Sequence, residues 1–166
     1  MYAVRNETLG AQSVAETVGA AAPTVVLVDD EVAFGRLIGD ILVHEMGCRV
    51  LACTRADQAE PMVAGVRPAL VLLDLLLPGG GGLAALAALK ANPATRGVPV
   101  VVCTAATLRV EQRQDLLVRG AAAILDKPFD LDDLLSLVGA YCPRALQPAC
   151  SAGPRVRQTA TLGTPV

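Results

Sequence analysis

Residues 24–31 read Thr-Val-Val-Leu-Val-Asp-Asp-Glu, and their reading decides the fold. Thr24 to Val28 is a short run rich in β-branched residues, which suits a strand buried on both faces. It stops at two aspartates. A helix over about 31–46 is expected next. Phe34, Leu37, Ile38, Ile41, Leu42 and Met46 fall on one stripe, while Arg36, Asp40 and Glu45 mostly face away. Gly47 stands where a helix-ending glycine is expected.

The same alternation continues outward. Residues 49–53 (RVLAC) predict a second strand, and a helix over roughly 55–65 follows. Pro61 would break its interior, so this helix starts late under an Asp57 cap, or bends. Residues 69–73 (ALVLL) predict a third strand ending at Asp74. Gly79 to Gly82 read as a flexible link into a helix over about 83–91. Pro99 opens a fourth strand that ends at Thr104, before a weakly amphipathic helix over about 108–119. Ala122 to Leu125 predict a fifth strand, followed by Asp126-Lys127-Pro128. Asp130 is expected to cap a last helix, with Leu131, Leu134, Leu135, Val138 and Tyr141 on one stripe.

Strands alternating with helices give an α/β fold with a parallel sheet and right-handed crossovers. Five strands exclude a closed eight-stranded barrel. The expectation is a doubly wound five-stranded parallel sheet, (βα)5, order 2-1-3-4-5, flavodoxin-like.

Composition agrees. The 166 residues are 53% hydrophobic but only 2% aromatic, so the core is aliphatic. Net charge is −2, which gives no basic field to draw in nucleic acid. No window approaches the roughly 18 uncharged apolar residues that span a bilayer. The opening residues lack the apolar core of a signal peptide, and the five cysteines form no CxxC pair, so a cytoplasmic location with reduced thiols is expected. Residues 1–22 are expected to be a flexible head and 23–142 the folded domain. Residues 143–166, with four prolines, Arg144, Arg155, Arg157 and no acid, are expected to be a disordered tail.

In such a sheet, ligands bind at the carboxyl ends of the strands where the order reverses, here between strands 1 and 3. Asp29 and Asp30 end the first strand and Asp74 the third, so three carboxylates would share one crevice. They cannot all ionise cheaply there without a cation. Mg²⁺ fits, held by Asp29, Asp30, Asp74 and the carbonyl of Leu76. Thr104 and Lys127 end the next two strands at the same rim. A metal, an ammonium and a hydroxyl around a carboxylate suit phosphoryl transfer, with the carboxylate as nucleophile. Each piece has a plainer use. The Asp pair could cap a helix, Asp74 could sit in a turn, Thr104 could satisfy a loop, and Lys127 could be a surface lysine.

VLVDDE (26–31), LVLLDLLLP (70–78), VVVCTA (100–105) and LDKPF (125–129) together resemble the four signature stretches of the response-regulator receiver domain. The resemblance covers about residues 24–142. It implies that Asp74 accepts a phosphoryl group from a histidine kinase or a phosphotransfer protein. It also implies that Asp30 and the Leu76 carbonyl bind Mg²⁺ directly and Asp29 through water. Lys127 would pair with the phosphoryl oxygens, Thr104 would turn to bond them, and the Ala105 amide would assist. The family's Lys-Pro peptide is often cis. A downstream protein effector would bind the face made by the fourth helix, fifth strand and fifth helix.

The chain departs from that pattern at Ile124, where the family usually has a switch tyrosine or phenylalanine. The run GGGG (79–82) is expected to loosen the loop after Asp74. Leu76 and Ala106 occupy the two positions that tune hydrolysis of the aspartyl phosphate in the family. Neither orients water, so self-dephosphorylation is expected to be slow and the protein not to be an enzyme. With no output domain after residue 142, it reads as a stand-alone regulator in a two-component phosphorelay, with no nucleic-acid partner and no membrane insertion. The alternative is a receiver-like interaction module that is not phosphorylated. An aspartate-dependent phosphatase wants a second Asp where Leu76 stands, and a flavin binder would lack tryptophan.

Overall fold

The structure is a computed structural model that describes residues 22–142. The elements run β1 (Thr24–Val28), α1 (Val32–Met46), β2 (Arg49–Cys53), α2 (Ala56–Val66), β3 (Leu70–Asp74), a 3-10 turn (Pro78–Gly80), α3 (Gly81–Ala91), β4 (Val100–Thr104), α4 (Val110–Val118), β5 (Ala123–Asp126) and α5 (Leu131–Tyr141). The expected head, apart from Ala22, and the expected tail lie outside the described residues, as does Cys150.

The five strands are parallel, as the alternation predicts, and ordered β2-β1-β3-β4-β5, the expected doubly wound order. Every residue of β3 and β4 is buried, because helices cover both sheet faces. One apolar layer, containing Val26, Val63, Val71, Leu73, Leu86 and Leu89, lies under α2, α3 and α4. The other, containing Leu27, Leu42, Leu72, Val101, Leu134 and Val138, lies under α1 and α5. The register aligns the strand ends: Val28 pairs with Cys53 and Leu73, Asp74 with Cys103, and Thr104 with Asp126.

Several local expectations are corrected. Pro61 neither delays nor ends α2: the helix starts at Ala56 and carries Pro61 inside. Arg55, not Asp57, is its extended N-cap residue, and the Asp57 carboxylate instead accepts both Arg55 guanidinium bonds. Burial of Ala59 and Val63 offsets the one helical bond that a proline cannot donate. On α1, Leu37 turns outward and is 58% exposed, while Ile38 and Leu42 face the core. On α5, Leu131 is likewise exposed. Asp130 is the N-cap residue of α5, but its side chain makes no capping bond.

The glycine run is not a uniformly loose link. Gly79 and Gly80 turn the chain at φ 67° and 74°, a region that disfavours side chains. Gly81 and Gly82 already belong to α3 and are buried. A methyl group on Gly82 would stand 2.5 Å from the Asp74 carbonyl oxygen and 2.6 Å from Leu75 Cα. Gly82 therefore lets α3 press directly on the backbone around Asp74.

Candidate functional site

Three strand ends bring the acids and the lysine together. Asp29 follows β1, and its amide bonds the Cys53 carbonyl at 3.1 Å, which extends the ladder one residue. Its carboxylate is buried: Oδ1 accepts the Glu31 amide at 2.9 Å and Oδ2 accepts Lys127 Nζ at 2.7 Å. Asp74 is the last residue of β3. Its Oδ1 accepts the Leu76 amide at 2.9 Å, and its Oδ2 accepts Lys127 Nζ at 3.0 Å. Asp30 stands beside them at the exposed mouth, and carboxylate oxygens of Asp29, Asp30 and Asp74 all lie within 4.8 Å of one another.

Lys127 enters from the end of β5. Its amide donates to the Thr104 carbonyl at 2.7 Å, so β4 and β5 fix the base of its side chain. The Lys127–Pro128 peptide is cis. Burial alone would pull the Lys127 ammonium down. Its hydrogen bonds and charge contacts with Asp29 and Asp74 outweigh that and hold it above its ordinary range. Next to these charges, burial pushes the Cys103 thiol up to about 12; Lys127 opposes this rise, while Asp74 and Asp29 add to it. Cys103 is thus a neutral part of the crevice wall.

The sequence expectation places seven residues here, and they divide into two groups. Asp29, Asp30, Asp74 and Lys127 meet directly. Thr104 is fully buried at the same rim, and its hydroxyl accepts the Ala106 amide at 3.0 Å. Ala105 stays exposed between them. Leu76 joins through its amide on Asp74, while its side chain is 54% exposed.

One contributor is not visible in the sequence. Phe34 of α1 places its ring 4.2 Å from Lys127 Nζ and packs edge-on against Phe129 at 5.8 Å between ring centres. An aromatic residue on an amphipathic stripe reads as core. Only the packing of α1 against the turn after β5 reveals its second contact.

Three acids against one ammonium leave the crevice over-supplied with negative charge. The donors are hard oxygens, two acids buried in the wall and one open to solvent, and this set fits a hard divalent cation. The grouped donors are carboxylate oxygens with no thiol or imidazole among them, a set that favours a hard ion over a soft one. A separate groove along α1 and β2, about 510 Å³, shares Asp29 with this crevice.

Comparison with known proteins agrees with this geometry. The family model of the response regulator receiver domain matches residues 25–139. The phosphate regulon transcriptional regulatory protein PhoB of Rhizobium meliloti is 32% identical over 123 residues, covering 74% of this chain and 53% of that protein. Protein PilG of Pseudomonas aeruginosa is 25% identical over 119 residues, covering 72% of this chain and 87% of that protein. The chain therefore spans about half the length of the PhoB proteins it matches. Among solved structures, the receiver domain of the sensor histidine kinase PA1611 from Pseudomonas aeruginosa PAO1 has a magnesium ion coordinated in its active-site cleft. It superposes with a TM-score of 0.65 at 27% identity, covering 74% of this chain and 99% of that one.

Proposed function

This chain belongs to the response regulator receiver domain family, and from that premise we propose that it takes a phosphoryl group on Asp74 from a histidine kinase or a phosphotransfer protein. The observation that carries the reading is the Lys127 ammonium shared by the Asp29 and Asp74 carboxylates at 2.7 and 3.0 Å. In the transfer, an Asp74 carboxylate oxygen forms a bond to phosphorus. The phosphorus–nitrogen bond of the donor phosphohistidine breaks, and the imidazole leaves with the electron pair. Lys127 already touches Asp74 Oδ2, so it stands ready to pair with incoming phosphoryl oxygens as Asp74 loses its own charge.

Asp29, Asp30, Asp74 and the Leu76 carbonyl would hold Mg²⁺. When bound, that ion supplies charge neutralisation for the acids and the transferring phosphoryl group. The Leu76 amide on Asp74 Oδ1 orients the carboxylate. The Thr104 hydroxyl would leave the Ala106 amide and donate to the phosphoryl group, with the Ala105 amide as a second donor.

Receiver domains are signalling phosphoacceptors rather than classical enzymes. Leu76 and Ala106 offer no group to orient a hydrolytic water, so the aspartyl phosphate should outlast seconds. The output is protein–protein contact at the face of α4, β5 and α5, with no nucleic acid held by this domain. Residues 23–142 carry 14 acids against 10 bases, which favours such partners over nucleic acid. Four free, buried cysteines among the described residues support a cytoplasmic setting.

Acetyl phosphate with Mg²⁺, followed by intact-mass measurement, tests the reading. Wild type should gain one phosphoryl group, and Asp74→Asn or added chelator should abolish the gain. An unmodified wild type would point instead to an interaction module without phosphorylation. Phosphate release from the modified protein within seconds would refute the long-lived phospho-form.

A further inference from the structure

We infer that Phe34 is a positioning residue for the phosphoryl transfer, acting through Lys127; this rests on the proposed phosphoryl chemistry at Asp74. Among the described residues, the ammonium of Lys127 contacts Asp29 Oδ2, Asp74 Oδ2 and the face of the Phe34 ring at 4.2 Å. The carboxylates are the partners that a bound cation or the phosphoryl transfer alters. A cation withdraws electron density from both, and phosphorylation removes the Asp74 charge. The ring is the one of these three contacts that the chemistry leaves untouched.

The attraction of an ammonium to an aromatic face strengthens when water is excluded. The Lys127 side chain is only 14% exposed, so the contact lies in that favourable range. Phe34 is itself braced. Its ring meets Phe129 edge-on at 69°, and Phe129 follows the Lys127–Pro128 peptide. The helix that begins beside Asp29 and the turn that carries Lys127 are thereby tied by one aromatic pair. With the ring present, Lys127 stays in the crevice while its anionic partners are exchanged. Without it, the flexible lysine stem can swing out to water while the carboxylates give way to phosphoryl oxygens as its partners.

Leucine keeps most of the apolar bulk at position 34 but has no π face; tyrosine keeps the face. Two readouts in the full chain separate positioning from packing. The first is the Lys127 ε-methylene resonance, assigned by comparison with Lys127→Met. It should be shifted upfield by the ring in wild type and in Phe34→Tyr, and return to an ordinary position in Phe34→Leu. The second is the rate of phosphoryl gain from acetyl phosphate at saturating Mg²⁺. It should fall about fivefold in Phe34→Leu, within the range expected for one desolvated cation–π contact, and recover in Phe34→Tyr. An unshifted wild-type resonance overturns the inference, and so do equal rates in wild type and Phe34→Leu or equal losses in the two variants. If wild type takes up no phosphoryl group, the underlying reading fails, while the resonance still decides whether the ring holds Lys127.

Discussion

Lys127 neutralises one unit of charge in a crevice that holds three, and that imbalance sets opposite expectations for two single changes. Asp30 is exposed and crowded by Asp29 and Asp74 within 4.8 Å. Asp30→Asn removes like-charge repulsion, so without divalent ions it should be more stable than wild type by up to about 1 kcal/mol. With Mg²⁺ held as proposed, it should also lose most of the stabilisation that the ion would give the folded state. Lys127→Met should act the other way. It strands the buried Asp29 carboxylate with only the Glu31 amide, a loss of about 3 kcal/mol for a broken, largely buried pair. Urea unfolding with chelator and with Mg²⁺ reads both; a destabilised Asp30→Asn would contradict the charge argument. At this scale the acids and the lysine were legible, because residues that end strands of one parallel sheet must share a rim. Phe34 was not legible, because its role depends on which turn α1 meets across space.

Among the elements, α3 shows where local propensity misleads. Four consecutive glycines read as slack, yet the second pair is helical and pressed against backbone. Propensity describes the isolated chain; the close approach of α3 to the carbonyl of Asp74 is a tertiary demand that no window of sequence displays. Gly82→Ala should therefore cost at least about 2 kcal/mol, as overpacking against backbone does. It should also slow phosphoryl uptake, since the displaced atoms belong to Asp74 and Leu75. Gly65, exposed near the end of α2 with nothing near its missing side chain, is the contrast. There Gly65→Ala should stabilise by up to about 1 kcal/mol, through loss of freedom in the unfolded chain. Paired denaturation curves decide the matter: the same sign for both variants would mean that contact with the Asp74 backbone does not govern the glycine run. The strands, in contrast, were legible to within a residue, because a short β-branched run between turn residues has little else to become.

For the whole molecule, the aliphatic composition and the alternation of periods sufficed to predict a parallel sheet covered on both faces, because connections between parallel strands are right-handed. The order 2-1-3-4-5 is a common doubly wound arrangement that the periods by themselves do not fix. What the composition does not reveal is whether the two apolar layers separate. They share the same five strands, so one layer cannot open without exposing the sheet to water from that side. Cys53 lies in the layer under α2, α3 and α4, and Cys103 in the layer under α1 and α5. Burial raises both thiols, Cys103 to about 12, so neither reacts from the folded state near neutral pH. In a Cys150→Ser background, pulsed alkylation at rising urea should label Cys53 and Cys103 together, each tracking global unfolding. Labelling of one well before the other would mean that the layers open independently. Cys103 and a second buried thiol, Cys142, set an alkaline limit. Unfolded, they ionise near 9.0, whereas Cys103 and Cys142 stay protonated in the fold up to about 12. Their contribution is complete below 9.0 and is lost as pH rises through that window, because only the unfolded chain can release the protons. The urea midpoint should accordingly fall across it, and Cys103→Ala should flatten the fall even though it costs packing at every pH.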